Sequence, residues 1–131
     1  MVLPASMRLR GHRCFDHLHR RGQRFHGALM VLRRVSARHS LLKHSSAAPI
    51  SGPAATTCRV AVVISNKVSK RAVVRNRLRR QLHDHLRTRF EHAPEHATTW
   101  LLVSLKPGAV AEEHDLLEEC DRLLEQAGLK P

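Results

Sequence analysis

The sequence predicts one α+β domain with the element order α-β-β-α-β-α around a small mixed sheet. Three stretches carry that prediction. Val60 to Ile64 is an apolar, mostly β-branched run too short for a good helix, and it reads as a buried strand. Val74, Leu78, Leu82, Leu86 and Phe90 recur every fourth residue and mark one stripe of a helix. Thr99 to Leu105 (TWLLVSL) is a second strand-like run, stopped by Lys106-Pro107-Gly108. Helices beside a small sheet, without strict alternation of strand and helix, give the α+β class.

In chain order, residues 1–7 read as a loose N-terminal tail, with the domain occupying 8–129. Arg8 to Arg21 sets Leu9, Phe15 and Leu18 among basic and polar residues, a short first helix that Gly22 ends. Phe25 to Val35 reads as a strand interrupted by Gly27. Residues 39–57 turn Ser/Ala/Pro/Gly-rich and are expected to be a flexible loop between strands. The Cys58–Ser65 strand follows, and Ser69 is placed to cap a helix beginning near Lys70 or Arg71. Residues 91–98 form a polar link before the third strand. Ala109 to Ala127 carries Val110, Leu116, Leu117, Leu123 and Leu124 on one stripe, with Gly128 at its end.

Charge narrows the function. The formal net charge is +12, and it is uneven. Residues 1–111 hold 21 of 23 Lys+Arg and 4 of 11 Asp+Glu, a net +17; residues 112–131 hold the rest, a net −5. A basic body of that size implies a polyanionic partner, and the acidic last helix is expected to face away from it. No apolar run reaches the roughly 18 residues of a membrane span. MVLPASMRLRGHR lacks the apolar core of a signal peptide, so a cytoplasmic protein without a membrane partner is expected. Cys14, Cys58 and Cys120 are widely spaced and odd in number, which argues against disulfides. The histidines form no metal-ligand spacing, and no Gly-rich phosphate loop or GxSxG elbow is present.

The helix concentrates the cations. At about 100° per residue from Val74, the apolar stripe runs from 0° to roughly 160°. Asn76, Arg80 and Arg87 fall near 200–240° and Arg77 near 300°, outside the stripe, whereas Arg75 and Arg79 fall inside it at roughly 100° and 140°. Arginine is the side chain suited to forked contact with phosphate. Two readings stand on the helix alone: a solvated basic face, or a phosphate-binding one.

Lys67-Val68 followed by Ala72-Val73-Val74-Arg75-Asn76-Arg77-Leu78-Arg79-Arg80 resembles the KV…AVxRNRxKR pattern of the bacterial ribonuclease P protein subunit. Arg8-Leu9-Arg10, Phe15 and Gly22 are similar to that family's N-terminal pattern, and Trp100 to Gly108 to its last strand and turn. The resemblance spans about residues 8–127. Ala61 stands where the family usually has Gly, Gln81-Leu82-His83-Asp84 replaces an LLRE-like ending, and there is no Tyr.

The resemblance implies a left-handed crossover from the second strand through the basic helix to the third; parallel crossovers in general are right-handed in about 98% of cases. It implies the protein subunit of an endonuclease that removes the 5′ leader of precursor tRNA, with RNA as catalyst. Mg²⁺ is then held mainly by the RNA subunit and substrate phosphates, with no metal on the protein and no catalytic side chain. The implied partners are ribonuclease P RNA and precursor tRNA. Lys67, Lys70, Arg71, Arg75, Asn76, Arg77, Arg79 and Arg80 would bind RNA. Phe15, Phe25 and Lys67 would bind the leader, in a groove between the first helix and the sheet face to which Val60, Val62 and Ile64 point. Plainer roles stay open: Phe15 as core, Lys67 as a solvated strand end, Asn76 as a local bridge, and Arg75 and Arg79 as partners of the acidic helix. The competing function is a non-enzymatic, ribosomal-type structural RNA-binding protein.

Overall fold

The computed structural model describes residues 3, 7–37, 58–91 and 93–129. The expected flexible loop at 39–57 lies outside them, as does most of the expected N-terminal tail. Its two described residues, Leu3 and Met7, are buried in the core instead. The helices are α1 (His12–Arg21), α2 (Ala72–Phe90) and α3 (Leu116–Gln126); the strands are β1 (Gln23–His26), β2 (Met30–Ser36), β3 (Arg59–Val63) and β4 (Thr99–Leu105). They form one four-stranded mixed sheet, β1-β2-β4-β3, antiparallel except where β3 lies parallel to β4.

The class is α+β, with one strand more than the sequence predicts. The run Phe25–Val35 folds back on itself at Gly27 to Leu29. A partner 90 residues away causes the fold-back: the buried carboxylate of Glu119 in α3 accepts the N–H groups of Ala28 (2.9 Å) and Leu29 (2.8 Å). Gly27 is required there, because a Cβ would stand 2.5 Å from Glu119 Oε2.

Each sheet face has its own cover. α2 and α3 bury Leu32, Val60, Ile64, Leu101 and Val103 beneath Leu78, Leu82, Leu86, Phe90, Leu123 and Leu124. α1 lies on the other face, over Val35, Ala61, Trp100 and Leu102. The expectation that the first helix covers Val60, Val62 and Ile64 is therefore wrong, since the longer α2 provides the larger apolar stripe for that face.

The crossover follows from the chain's own chirality. Val60 accepts the Leu9 N–H (3.0 Å) on the edge away from β4, while its side chain enters the core shared with α2. In an upward strand of L-residues, a side chain turned to the viewer sends its own carbonyl to the right. Seen from α2, β4 thus lies to the left of β3, and the β3-α2-β4 connection is left-handed.

Helix limits also shift. α1 starts at His12, because Gly11 has φ 93° and Arg8 pairs with Val60 as an added edge bridge. Ser69 does not cap α2; its hydroxyl accepts the Arg71 N–H (3.2 Å) in a turn, and the helix begins at Ala72. Ala109–Asp115 is a 3₁₀ segment kinked at Glu112, so α3 starts at Leu116.

Candidate nucleic-acid interface

α2 leaves the sheet end where β3 stops, and its first turns carry the expected cations. Lys67, Lys70 and Arg71 are exposed in the connecting turn and at the helix start. Arg75 donates from Nη1 to the Ser69 carbonyl (2.9 Å), and Arg79 donates from Nη1 to Asn76 Oδ1 (2.8 Å). Asn76 is thus a local bridge in this structure; the residue is exposed, and its amide nitrogen makes no hydrogen bond among the described residues. Arg80 is exposed and makes no ion pair or hydrogen bond within the described residues.

Arg77 differs from the rest. It donates from Nε (3.1 Å) and Nη2 (2.8 Å) to the two carboxylate oxygens of Glu113, which also accepts from Gln81. The bond holds the Arg77 guanidinium above its ordinary pKa and the Glu113 carboxyl below its own. The C-terminal acidic region therefore does not all face away from the basic helix. Its 3₁₀ segment reaches Arg77, not the Arg75 and Arg79 that the sequence offered as partners. One face of the Arg77 fork is occupied, and the hydrogens of Nη1 remain for another acceptor.

The opposite sheet face holds the second part of the site. Three register rows cross it. Val35, Trp100 and Arg59 form the first; Arg24, Arg33, Leu102 and Ala61 the second; His26, Val31, Ser104 and Val63 the third. α1 buries Trp100 and Leu102 and stops short of the third row, where His26 is exposed, Val31 and Ser104 are half-buried and Val63 is 37% exposed. This uncovered strip, together with the exposed Arg24 and half-buried Arg33 at the β1–β2 side of the second row, forms the trough beside α1; it ends at the same sheet end as the start of α2.

Phe15 lies at the edge of the α1 core, half-buried. Phe25 is not beside it: its register with Leu32 turns it to the opposite face, against the α2–α3 core. The structure does not bring together the two aromatics expected in one groove, because the hairpin fixes β1's alternation. It supplies residues the sequence reading missed. Arg24 and Arg33 stand directly opposite each other across β1 and β2. Burial, and then the like charge of Arg24, pull the Arg33 guanidinium below its ordinary pKa, and its buried Nε has no acceptor. Like charges opposite each other destabilise a sheet, so this pair suits an anion. Recognising it needs the register, which the unrecognised hairpin concealed.

Among the described residues, no cluster of side chains has the arrangement of a hydrolytic centre. Glu119, the one buried carboxylate among the described residues, is occupied with Ala28 and Leu29. Glu112, His114 and Asp115 place ligand atoms within 4.8 Å of one another, but all three are exposed and lie outside the trough rows. The thiols of Cys58 and Cys120 are pushed up to about 12 by burial and are poor nucleophiles.

A family model described as Ribonuclease P matches residues 3–128. A ribonuclease P protein component of Synechococcus sp. (strain WH7803) is 64% identical over 131 residues, with 100% of each chain covered. That of Prochlorococcus marinus (strain MIT 9313) is 65% identical over 130 residues, with 98% of each covered. Among solved structures, the RNase P protein of Staphylococcus aureus superposes with a TM-score of 0.73 at 13% identity, covering 95% of this chain and 98% of that one. The RNase P protein of Thermotoga maritima gives 0.65 at 17% identity, covering 91% and 96%. At such identities the likeness shows the fold alone.

Proposed function

The chain belongs to the ribonuclease P protein family, and from that premise we propose that it binds ribonuclease P RNA through α2 and the 5′ leader of precursor tRNA in the trough beside α1. As a member of that family it is the protein component of a tRNA-processing ribonuclease. The proposal adds that the holoenzyme is an endonuclease whose catalytic core is RNA, with Mg²⁺ on phosphates of the RNA subunit and substrate. In this reading the chain's own part is binding and orientation. No helix among the described residues is long and apolar enough to cross a membrane. We place the complex in the cytoplasm on the strength of the substrate alone.

The observation that carries the reading is the pairing of two open surfaces at one end of the sheet. The cations from Lys67 to Arg80 meet structured RNA by phosphate contact, largely without reading sequence. The trough offers Phe15 as a stacking face and Arg24 with Arg33 as cations, which suits a single strand of variable sequence. Arg80→Ala should weaken assembly with the RNA subunit, and a plot of log affinity against log salt should become shallower by about 0.7–0.9. Native circular dichroism with an unchanged slope would remove α2 from the interface.

Phe15→Ala tests the trough. In a reconstituted holoenzyme it should reduce the preference for leader-bearing over mature tRNA, on the scale of about 1–3 kcal/mol for one stacked base. Affinity for the RNA subunit should not change. A purely core role for Phe15 would appear instead as a lower melting temperature with the preference intact.

A further inference from the structure

We infer that Val73 makes an apolar contact with the sugar face of the RNA docked on α2, so that this surface distinguishes RNA from polyanions lacking sugars. The inference rests on the assignment of α2 to RNA binding.

Val73 is 70% exposed, against 37% for Val63, the only other large apolar side chain exposed among the described residues. Its place on the helix is not arbitrary. At about 100° per residue it sits near 260° on the wheel that sets Val74 at zero, between Arg80 near 240° and Arg77 near 300°. Asn76, Arg77 and Arg80 follow it by three, four and seven residues, the spacings of one helix face. All three are exposed, and Lys70 and Arg71 lie just before it in the chain. The cation face closes one turn later, where Asp84 falls near 280° on the same wheel. Among the described residues, Val73 is therefore an apolar centre ringed by cations and an amide, with no element over it.

Folding gives no reason for it. Valine loses χ1 freedom in a helix, so an exposed valine is a poorer choice there than alanine. A ring of cations alone attracts any polyanion at long range. An apolar centre inside a polar ring excludes water once a partner docks, and its contribution depends on close fit. Structured RNA matches that arrangement: phosphates flank a wide, shallow minor groove lined by ribose.

The test uses the full chain, with a transcript of its cognate ribonuclease P RNA as one probe and long-chain polyphosphate as the other. Val73→Ala should lower RNA affinity about fivefold, the scale of burying two methyl groups that are already partly covered. The salt slope should stay as in the wild type, because no charge is removed. Polyphosphate binding should not change, and the melting temperature should hold or rise. Val73→Thr, which keeps the shape and exchanges one methyl for a hydroxyl, should lose affinity for RNA alone in the same way. Wild-type RNA affinity for Val73→Ala overturns the inference, as does an equal loss toward polyphosphate. If Arg80→Ala leaves RNA binding intact, the assignment of α2 itself fails, and the inference with it. If Arg80→Ala weakens binding and Val73→Ala does not, only the apolar contact is lost.

Discussion

Glu119→Ala should destabilise the fold by about 2–3 kcal/mol, because it leaves the buried Leu29 N–H without its acceptor and removes the charged bond to Ala28. The carboxylate accepts 2.8 and 2.9 Å bonds from a turn 90 residues earlier, and it is itself 4% exposed. Equilibrium urea unfolding should show a lower midpoint at unchanged slope. Glu119→Gln should fall between, since one amide oxygen can serve only part of the pair. Gly27→Ala should also destabilise the protein, because its methyl would meet the same carboxylate at 2.5 Å. The two changes share one contact, so they should couple by about 0.5–3 kcal/mol. In the Glu119→Ala background the Gly27→Ala cost should shrink. Strict additivity would show that the hairpin turn does not depend on α3.

Arg33→Glu should reduce holoenzyme affinity for leader-bearing precursor tRNA at least tenfold, about 1.4 kcal/mol or more. It should leave mature tRNA and RNA-subunit binding near wild type. The physical reason is doubled. The substitution removes a cation from the trough floor, and the new carboxylate stands directly opposite Arg24 and neutralises it. The same placement replaces a repulsive cross-strand pair with an attractive one, worth roughly 0.2–1 kcal/mol to the sheet. The melting temperature should therefore hold or rise while leader binding falls. Arg33→Gln should show a smaller loss. If Arg33→Glu retains the wild-type preference for precursor, the leader does not cross this row of the sheet.

The cation cluster, the strand Thr99–Leu105 and the α2 stripe were legible because each is local. Periodicity and composition fix them within about twenty residues, and Leu78, Leu82, Leu86 and Phe90 are all fully buried as that stripe predicts. The family resemblance added what the general right-handed rule for parallel crossovers opposes, the left-handed connection. Other features depended on partners far away in the chain. The fold-back at Gly27 is set by Glu119, the Arg77 fork is held by Glu113, and Leu3 and Met7 are drawn into the core beside α2. The hairpin then decided the trough. Alternation along a strand tells which residues share a face, but not which face, until the register with a neighbour is known. With β1 paired to β2, Arg24 and Arg33 face the open trough while Phe25 turns to the core on the other side. The sequence by itself determined the polyanion-binding character and most of the elements. The tertiary structure decided which side chains line the trough, because strand register and long-range hydrogen bonds are pairwise properties that no single stretch of chain contains.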